Sequence, residues 1–321
     1  MEEEKDTNAS DNLVEINQKL NLQLKEKQEK IQQLEEILDA VSTKFANSIF
    51  QFVDILAAIV SFQEKFYENS HSRFVSRYSV KLAKALRMGD DEILNVQIAG
   101  LLHDIGKVGF KDNIMIKFPH EMSEKERSYY NTHCELGKEI LKKFQEFNLI
   151  ADIIFQHHEN IDGSGFPQGL KDKQIHPEAQ IIAIVNTFHN LVYKVRKESD
   201  PRTMALVAQT TLPPSKVDIG GNRYLSAIKS LHERSGLHFN KKFVEVFINL
   251  MEEERASYGQ KVVSRVPVTK LETGMVIYQN YYTRSGLLVA SSGDVIDEDS
   301  RRALIRLAEF GAIPANILVL K

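Results

Sequence analysis

Apolar residues recur at seven-residue spacing from Leu13 to Phe45. Asn17, Leu24, Ile31, Leu38 and Phe45 share one heptad position, and Leu13, Leu20, Lys27, Leu34, Val41 and Ser48 share the other. This pattern predicts a coiled-coil helix over residues 11–48. In a parallel pair Lys30 of one chain faces Glu35 of the other, and a seam Asn such as Asn17 favours an in-register dimer at a cost in stability. A homodimer is therefore expected; the alternative is one amphipathic helix folded back on its own domain. Residues 1–10, rich in carboxylates and poor in apolar side chains, are expected to be disordered. From residue 49 to 258 the period is helical almost throughout, broken by Gly, Pro and Asn, with helices expected at 46–67, 72–88, 91–104, 123–145, 148–158, 177–197, 201–209, 222–234 and 240–256. Ser123 and Glu126 form a capping-box signature before the fourth of these, and Pro213 to Asn222 reads as a loop. After Gly259 the texture changes to short strands, Val262–Val268, Gly274–Tyr282, Leu287–Ala290 and Ile317–Leu320, around a helix from Glu298 to Phe310. The expected fold is mainly α: a helical bundle with an N-terminal coiled-coil helix and a small C-terminal β-rich domain over residues 259–321. A unit of about sixty residues is marginal alone, so it is expected to dock on the helical domain or on a partner.

A chain of 321 residues with 42% hydrophobic and 26% charged positions suffices for two compact domains and an extension. Its longest apolar stretch, Phe50 to Phe62, contains Asp54 and falls short of the roughly twenty residues of a membrane span. The start lacks the basic-then-apolar plan of a secretory leader. The single cysteine, Cys134, suits a reducing compartment, so a cytoplasmic location and no membrane partner are expected. With 41 basic against 44 acidic residues the net charge is −3, which offers nothing to DNA. Cys134 is expected to be a small, partly buried thiol, and His120, His176, His232 and His238 to be solvated. The Phe50–Phe62 stripe reads as core joining the coiled coil to the bundle.

The candidate chemistry begins at His103-Asp104, at the end of the apolar run Ile98–Leu102. Such a pair is often only a capped helix end, but His71 lies upstream, His133 lies thirty residues downstream, and His157-His158 closes the following helix. Five imidazoles and one carboxylate able to bridge suit two divalent transition metals with positions open to water and substrate. The next segment, Glu159 to Pro167, is rich in glycine. Gly163 and Gly165 allow close backbone approach and Pro167 stiffens the exit, so the loop can flank a phosphate, although such turns are more often structural.

The order His71, His103-Asp104-Ile-Gly-Lys107, His133, His157-His158-Glu159 and Asp162-Gly-Ser-Gly165-Phe166-Pro167 resembles the HD-GYP family, a branch of the HD metal-dependent phosphohydrolases. The resemblance runs from about residue 50 to 256, including Ser235 to Phe239, and the tail starting Leu271-Glu-Thr-Gly-Met275-Val is similar to accessory domains of such proteins. It implies an HD-type helical bundle holding a bimetallic centre that opens the ring of cyclic di-GMP to the linear dinucleotide or GMP. By position Asp104 would bridge the metals, His71 and His103 would hold one with Asn186, and His133, His157 and His158 the other. Lys107 would act with Asp104 in catalysis by facing the substrate phosphate, and Gly163, Gly165, Phe166 and Pro167 would line the substrate. The donor set points to iron or manganese, with a single metal as the alternative.

Several positions depart from the family pattern. In Ala183-Ile-Val-Asn186-Thr-Phe-His189-Asn190-Leu191, Asn186 stands at the last metal-ligating aspartate, and His189 is expected to be a surface or packing residue. Phe166 replaces the family tyrosine. Tyr67 stands where some members carry a glutamate for a third metal, so two metals at most are expected. The basic, proline-containing stretch that contacts guanine nucleotides is unmatched after Leu191, although Lys194, Arg196 and Lys197 are close. Two functions are therefore expected as rivals: a cyclic di-GMP phosphodiesterase of reduced activity, and a catalytically degenerate scaffold that binds a ligand or signalling partner protein. A phosphohydrolase for another nucleotide is a third.

Overall fold

The computed structural model describes residues 3–64, 66–67, 70–194, 222–258, 263–283, 288–290 and 293–320. The expected helix 201–209, most of the Pro213–Asn222 loop, and Arg196 and Lys197 lie outside them. The chain divides into two compact units, Met1–Ile55 and Leu56–Lys321.

Helix α1 runs from Glu3 to Ser61 without a break. It begins inside the segment expected to be disordered; once a helix is nucleated, each added residue gains a hydrogen bond at little further entropy cost. In the first unit the seam residues Leu20, Leu24, Ile31, Leu34, Leu38, Val41 and Phe45 each leave 54–67% of their surface exposed. The stripe read as core is only partly so: Ala57 and Val60 are buried, whereas Phe50, Ile55, Ile59 and Phe62 are exposed. Contrary to expectation, Lys19–Ser61 is long and apolar enough to cross a membrane by length and composition, with a mean hydropathy of 1.3 in its best 18-residue window. Against such a role, Asp54 lies in the apolar stretch, where a mid-span charge costs about 2.5–3.5 kcal/mol.

The helical part of the second unit is built around α8 (Pro177–Tyr193), which opens with Pro at its first position and is buried along most of its length, polar Glu178, Gln180, Asn186 and His189 included. Around it lie α2 (His71–Ala85), α3 (Asp90–Leu102), α7 (Asn148–Gln156), α9 (Asn222–Arg234) and α10 (Lys241–Tyr258); α4 (Asp112–Met115) is a single turn. Helices α2 and α3 cross closely because Gly100 has no side chain: a Cβ there would lie 2.6 Å from Ser76 Cα. The helix expected at 123–145 is two, α5 (Glu124–Asn131) and α6 (His133–Leu141). Ser123 and Glu126 cap α5 reciprocally, as expected. Thr132 breaks the run by turning its hydroxyl back onto Tyr129 O at 2.7 Å, competing with the helical ladder.

The C-terminal part holds a three-stranded antiparallel sheet, in which β5 (Asn316–Leu320) lies between β1 (Val263–Pro267) and β2 (Val276–Ile277). A second ladder pairs β3 (Tyr281–Tyr282) with β4 (Leu288–Ala290), and α11 (Glu298–Glu309) covers a core that includes Val266, Ile277, Leu304 and Ile317. The long strand expected from Gly274 to Tyr282 is thus two short ones. Asp294 of this part lies 4.0 Å from both Arg73 and Arg77 of α2.

Candidate metal centre

Every histidine of the expected constellation sits at a helix end. His71 and His133 are the first residues of α2 and α6, while His103 and His157 follow directly on α3 and α7. The last carbonyls of a helix lack helical donors. Three imidazoles use them: His103 Nδ1 is 2.9 Å from Gly100 O, His133 Nδ1 2.6 Å from Tyr130 O, and His157 Nδ1 2.5 Å from Ile154 O. A carbonyl only accepts, so each Nδ1 carries the hydrogen and each Nε2 presents a bare lone pair to the centre.

Those lone pairs converge. His133 Nε2 and His157 Nε2 are 3.4 Å apart, and neither has a hydrogen to share; His71 Nε2 and His103 Nε2 are 3.1 Å apart. Protonation does not resolve the conflict, because burial lowers all five pKa values, that of His133 to about 3. Asp104 lies among them: Oδ2 is 3.6 Å from His71 Nε2, and Oδ1 is 3.5, 3.8 and 3.9 Å from His103, His133 and His157 Nε2. Burial opposes its charge, but His103 and Lys107 outweigh burial and hold its pKa well below the usual range. Its Oδ1 is buried with no hydrogen-bond partner, and so is His158 Nε2. An anionic oxygen and bare imidazole nitrogens facing one another repel unless cations lie between them, so these residues fit divalent metals. The donors form two sets: His71, His103 and Asp104; and His133, Cys134, His157 and His158.

Lys107 is buried, donates to Asp104 Oδ2 at 2.7 Å and has Nζ 4.7 Å from the centre of the Tyr130 ring. It is brought here by the 3-10 turn Ile105–Lys107, which rests on α6 through Gly106. The glycine-rich loop lies beside the second set. Gly163 takes φ +85°, and a Cβ on Gly165 would fall 2.3 Å from Asn160 N. Glu159 accepts from Gln168 N at 2.6 Å and Leu170 N at 3.0 Å, fixing the loop, and the peptide between Phe166 and Pro167 is cis. The Phe166 ring stacks on His158 with centroids 4.7 Å apart.

Asn186 is buried, and its Oδ1 accepts from Asn190 Nδ2 at 2.5 Å; Asn190 Oδ1 accepts in turn from Tyr67 Oη at 2.9 Å. Its amide oxygen is thus already engaged. The Tyr67 ring stacks on His71 at 4.4 Å. His189 is fully buried, with Nδ1 2.8 Å from His71 Nδ1, so it holds the ring of a candidate ligand. Glu64 was missed as well: it accepts from Ser70 Oγ, His71 N and Ser72 N, capping α2 from seven residues upstream. Cys134 is fully buried beside His133. Of the histidines read as solvated, His120 and His232 are exposed, and His176 and His238 half-buried. Lys194 is buried, donating to Lys117 O at 2.8 Å, and burial lowers its pKa to about 7.

The family model described as HD domain matches residues 54–208, the part of the chain in which histidines from four helix ends meet one His-Asp pair. The chain is similar to a cyclic di-GMP phosphodiesterase of Thermotoga maritima, 27% identical over 235 residues that make up 73% of this chain and 58% of that protein. It is also similar to 3'3'-cGAMP-specific phosphodiesterase 3 of Vibrio cholerae, 33% identical over 39% of this chain and 27% of that protein. Among solved structures, an HDG"Y"P protein of Bdellovibrio bacteriovorus aligns with a TM-score of 0.45 and 21% identity over 58% of this chain and 52% of that one. The chain is thus similar to HD domains over residues 54–208 and, over part of its length, to cyclic dinucleotide phosphodiesterases. It spans little more than half the length of the Thermotoga relative.

Proposed function

We propose that this chain is a metal-dependent phosphodiesterase that opens a cyclic dinucleotide, cyclic di-GMP, to the linear dinucleotide or GMP. The reading is carried by the unpartnered Oδ1 of Asp104, set among the Nε2 atoms of His103, His133 and His157, whose hydrogens sit on Nδ1. Two divalent metals held there, iron or manganese, would supply Lewis-acid polarisation of a phosphoryl oxygen and an activated water nucleophile. His71 and His103 would hold one and His133, His157 and His158 the other, with Asp104 set between the two groups. Lys107 keeps Asp104 ionised and brings a buried positive charge to the place where a phosphate gains negative charge. Gly163, Gly165 and Pro167 shape the substrate side, and Phe166 shields one face of His158. Because Asn190 already occupies the Asn186 amide, the His71 side binds its metal weakly and turnover is reduced. That observation also favours the second reading, a scaffold that binds a ligand or partner protein in second-messenger signalling without hydrolysis. We place the chain in the cytoplasm, as a homodimer joined along the exposed α1 seam; deleting residues 1–45 should then halve the mass seen by light scattering.

The test is hydrolysis of cyclic di-GMP and cyclic GMP–AMP by protein purified without oxygen and supplied with iron(II) or manganese(II), beside Asp104→Ala and Asn186→Asp. Slow turnover by the native chain, faster in Asn186→Asp and absent in Asp104→Ala, is expected. Equal turnover by Asp104→Ala would refute the bimetallic reading. Turnover only in Asn186→Asp would establish the scaffold.

A further inference from the structure

We propose that the dimer seam continues past the coiled coil to Phe62, so that a second copy of this chain covers the outer side of α1 at its C-terminal end. The inference rests on the reading of α1 as a homodimer seam and carries that seam to the turn that holds His71. The frame of Leu24, Ile31, Leu38 and Phe45 runs on to Phe52 and Ile59, and that of Leu20, Leu34 and Val41 to Ile55 and Phe62. The heptad count is unbroken between the two stretches, and α1 is one helix as far as Ser61. Ile55, Ile59 and Phe62 are 59, 40 and 61% exposed, as open as the seam residues before them.

Over its last turns α1 is apolar on two sides. Ala57 and Val60, off the seam, are buried, whereas Ile59 and Phe62, on it, face solvent. A helix that is apolar on both sides calls for cover on both, and the described residues cover one. A parallel second copy fits the other, because it sets each seam residue against its own equivalent, Ile59 on Ile59 and Phe62 on Phe62. Charge agrees with that occupant. Among the pairs that flank the seam in a parallel dimer, from Gln23–Gln28 to Ala58–Gln63, Lys30–Glu35 joins opposite charges and none sets like charges together. The seam then ends two residues before Glu64, whose carboxylate accepts from His71 N at 3.1 Å and Ser72 N at 2.7 Å. Pairing at Phe62 steadies the turn that caps α2 and thereby the first candidate ligand. About two heptads are marginal as a seam by themselves, so deletion of residues 1–45 still yields a monomer.

The test places single cysteines in the full chain at Leu34, Asp54, Ile59 and Phe62 and follows disulfide cross-linking under mild oxidation by non-reducing electrophoresis. The native chain is the blank, since its one cysteine, Cys134, is fully buried. All four substituted side chains are exposed, so the variants should fold. Leu34→Cys, Ile59→Cys and Phe62→Cys are expected to give covalent dimer, because equivalent seam positions of a parallel pair lie within disulfide reach. Asp54→Cys, off the seam, is expected to give none. Ile59→Asp combined with Phe62→Asp should weaken the dimer at least about tenfold in analytical ultracentrifugation, as apolar burial is lost on both copies. Cross-linking at Leu34 but at neither Ile59 nor Phe62 would overturn the extension, leave the coiled-coil dimer standing and give the outer side of α1 to another occupant. No cross-linking at Leu34, Ile59 or Phe62 would sink the extension and the homodimer together.

Discussion

Gly106 offers the sharpest test of how the fold holds its site. A Cβ at this position would lie 1.9 Å from His133 O, 2.6 Å from Gly137 N and 2.8 Å from His133 C, all backbone atoms that cannot rotate away. Restoring ordinary contact at 3.4 Å requires the turn bearing Asp104 and Lys107 to move from α6 by about 1.5 Å. Metal–ligand distances tolerate only about 0.2 Å. The displacement in Gly106→Ala thus exceeds that tolerance several-fold, and it falls between Asp104 and His133, which must act together. Overpacking of this kind costs about 1–3 kcal/mol, and in a domain of this size each kcal/mol lowers Tm by about 2–4 °C. Circular-dichroism melting should show a loss of about 2–12 °C, and metal analysis should show loss of the ion held with His133. Gly137→Ala is the comparison: its Cβ would meet Ile154 Cδ1 at 3.1 Å, a side-chain end that can shift, so the effect should be small. A Gly106→Ala protein with native Tm and full metal content would refute the reasoning.

His189→Ala removes the group facing His71 Nδ1 and should weaken metal binding about 10–100-fold, with partial recovery in His189→Asn; calorimetric titration with zinc measures it, and unchanged affinity would show that His189 only fills space. The pH dependence of the metal-free protein follows from its buried imidazoles. Burial depresses the folded pKa of His133 to about 3 and lowers those of His71, His103, His157 and His158, so below the unfolded value of about 6.5 the unfolded chain binds more protons. Their contribution to stability is complete above about pH 6.5 and falls as the pH drops toward 3. Melts in chelator should show Tm declining from pH 6.5 to 4.5, and a constant Tm would contradict the burial of neutral histidines.

The order of His71, His103-Asp104, His133 and His157-His158 is legible in the sequence, although periodicity put His133 inside one helix over 123–145 and ran the expected helices 91–104 and 148–158 past His103 and His157. Capping chemistry acts over three or four residues. The same locality explains what was misjudged. The break at Thr132 comes from one hydroxyl bonding backward, which apolar periodicity does not register. The capping of α2 by Glu64 spans seven residues, beyond any capping signature. His189, Cys134 and Asn186 look alike in sequence, single polar residues within helical segments. Their surroundings separate them: α8 packed against α2 sets His189 on His71, whereas Cys134 meets His133 within the first turn of α6 and Asn190 takes up the Asn186 amide from four residues along α8. Periodicity and capping are set by neighbours along one helix, so sequence determined the elements and most candidate ligands. Which lone pairs face one another depends on contacts such as that between His71 and His189, 118 positions apart, and these only the tertiary structure decided.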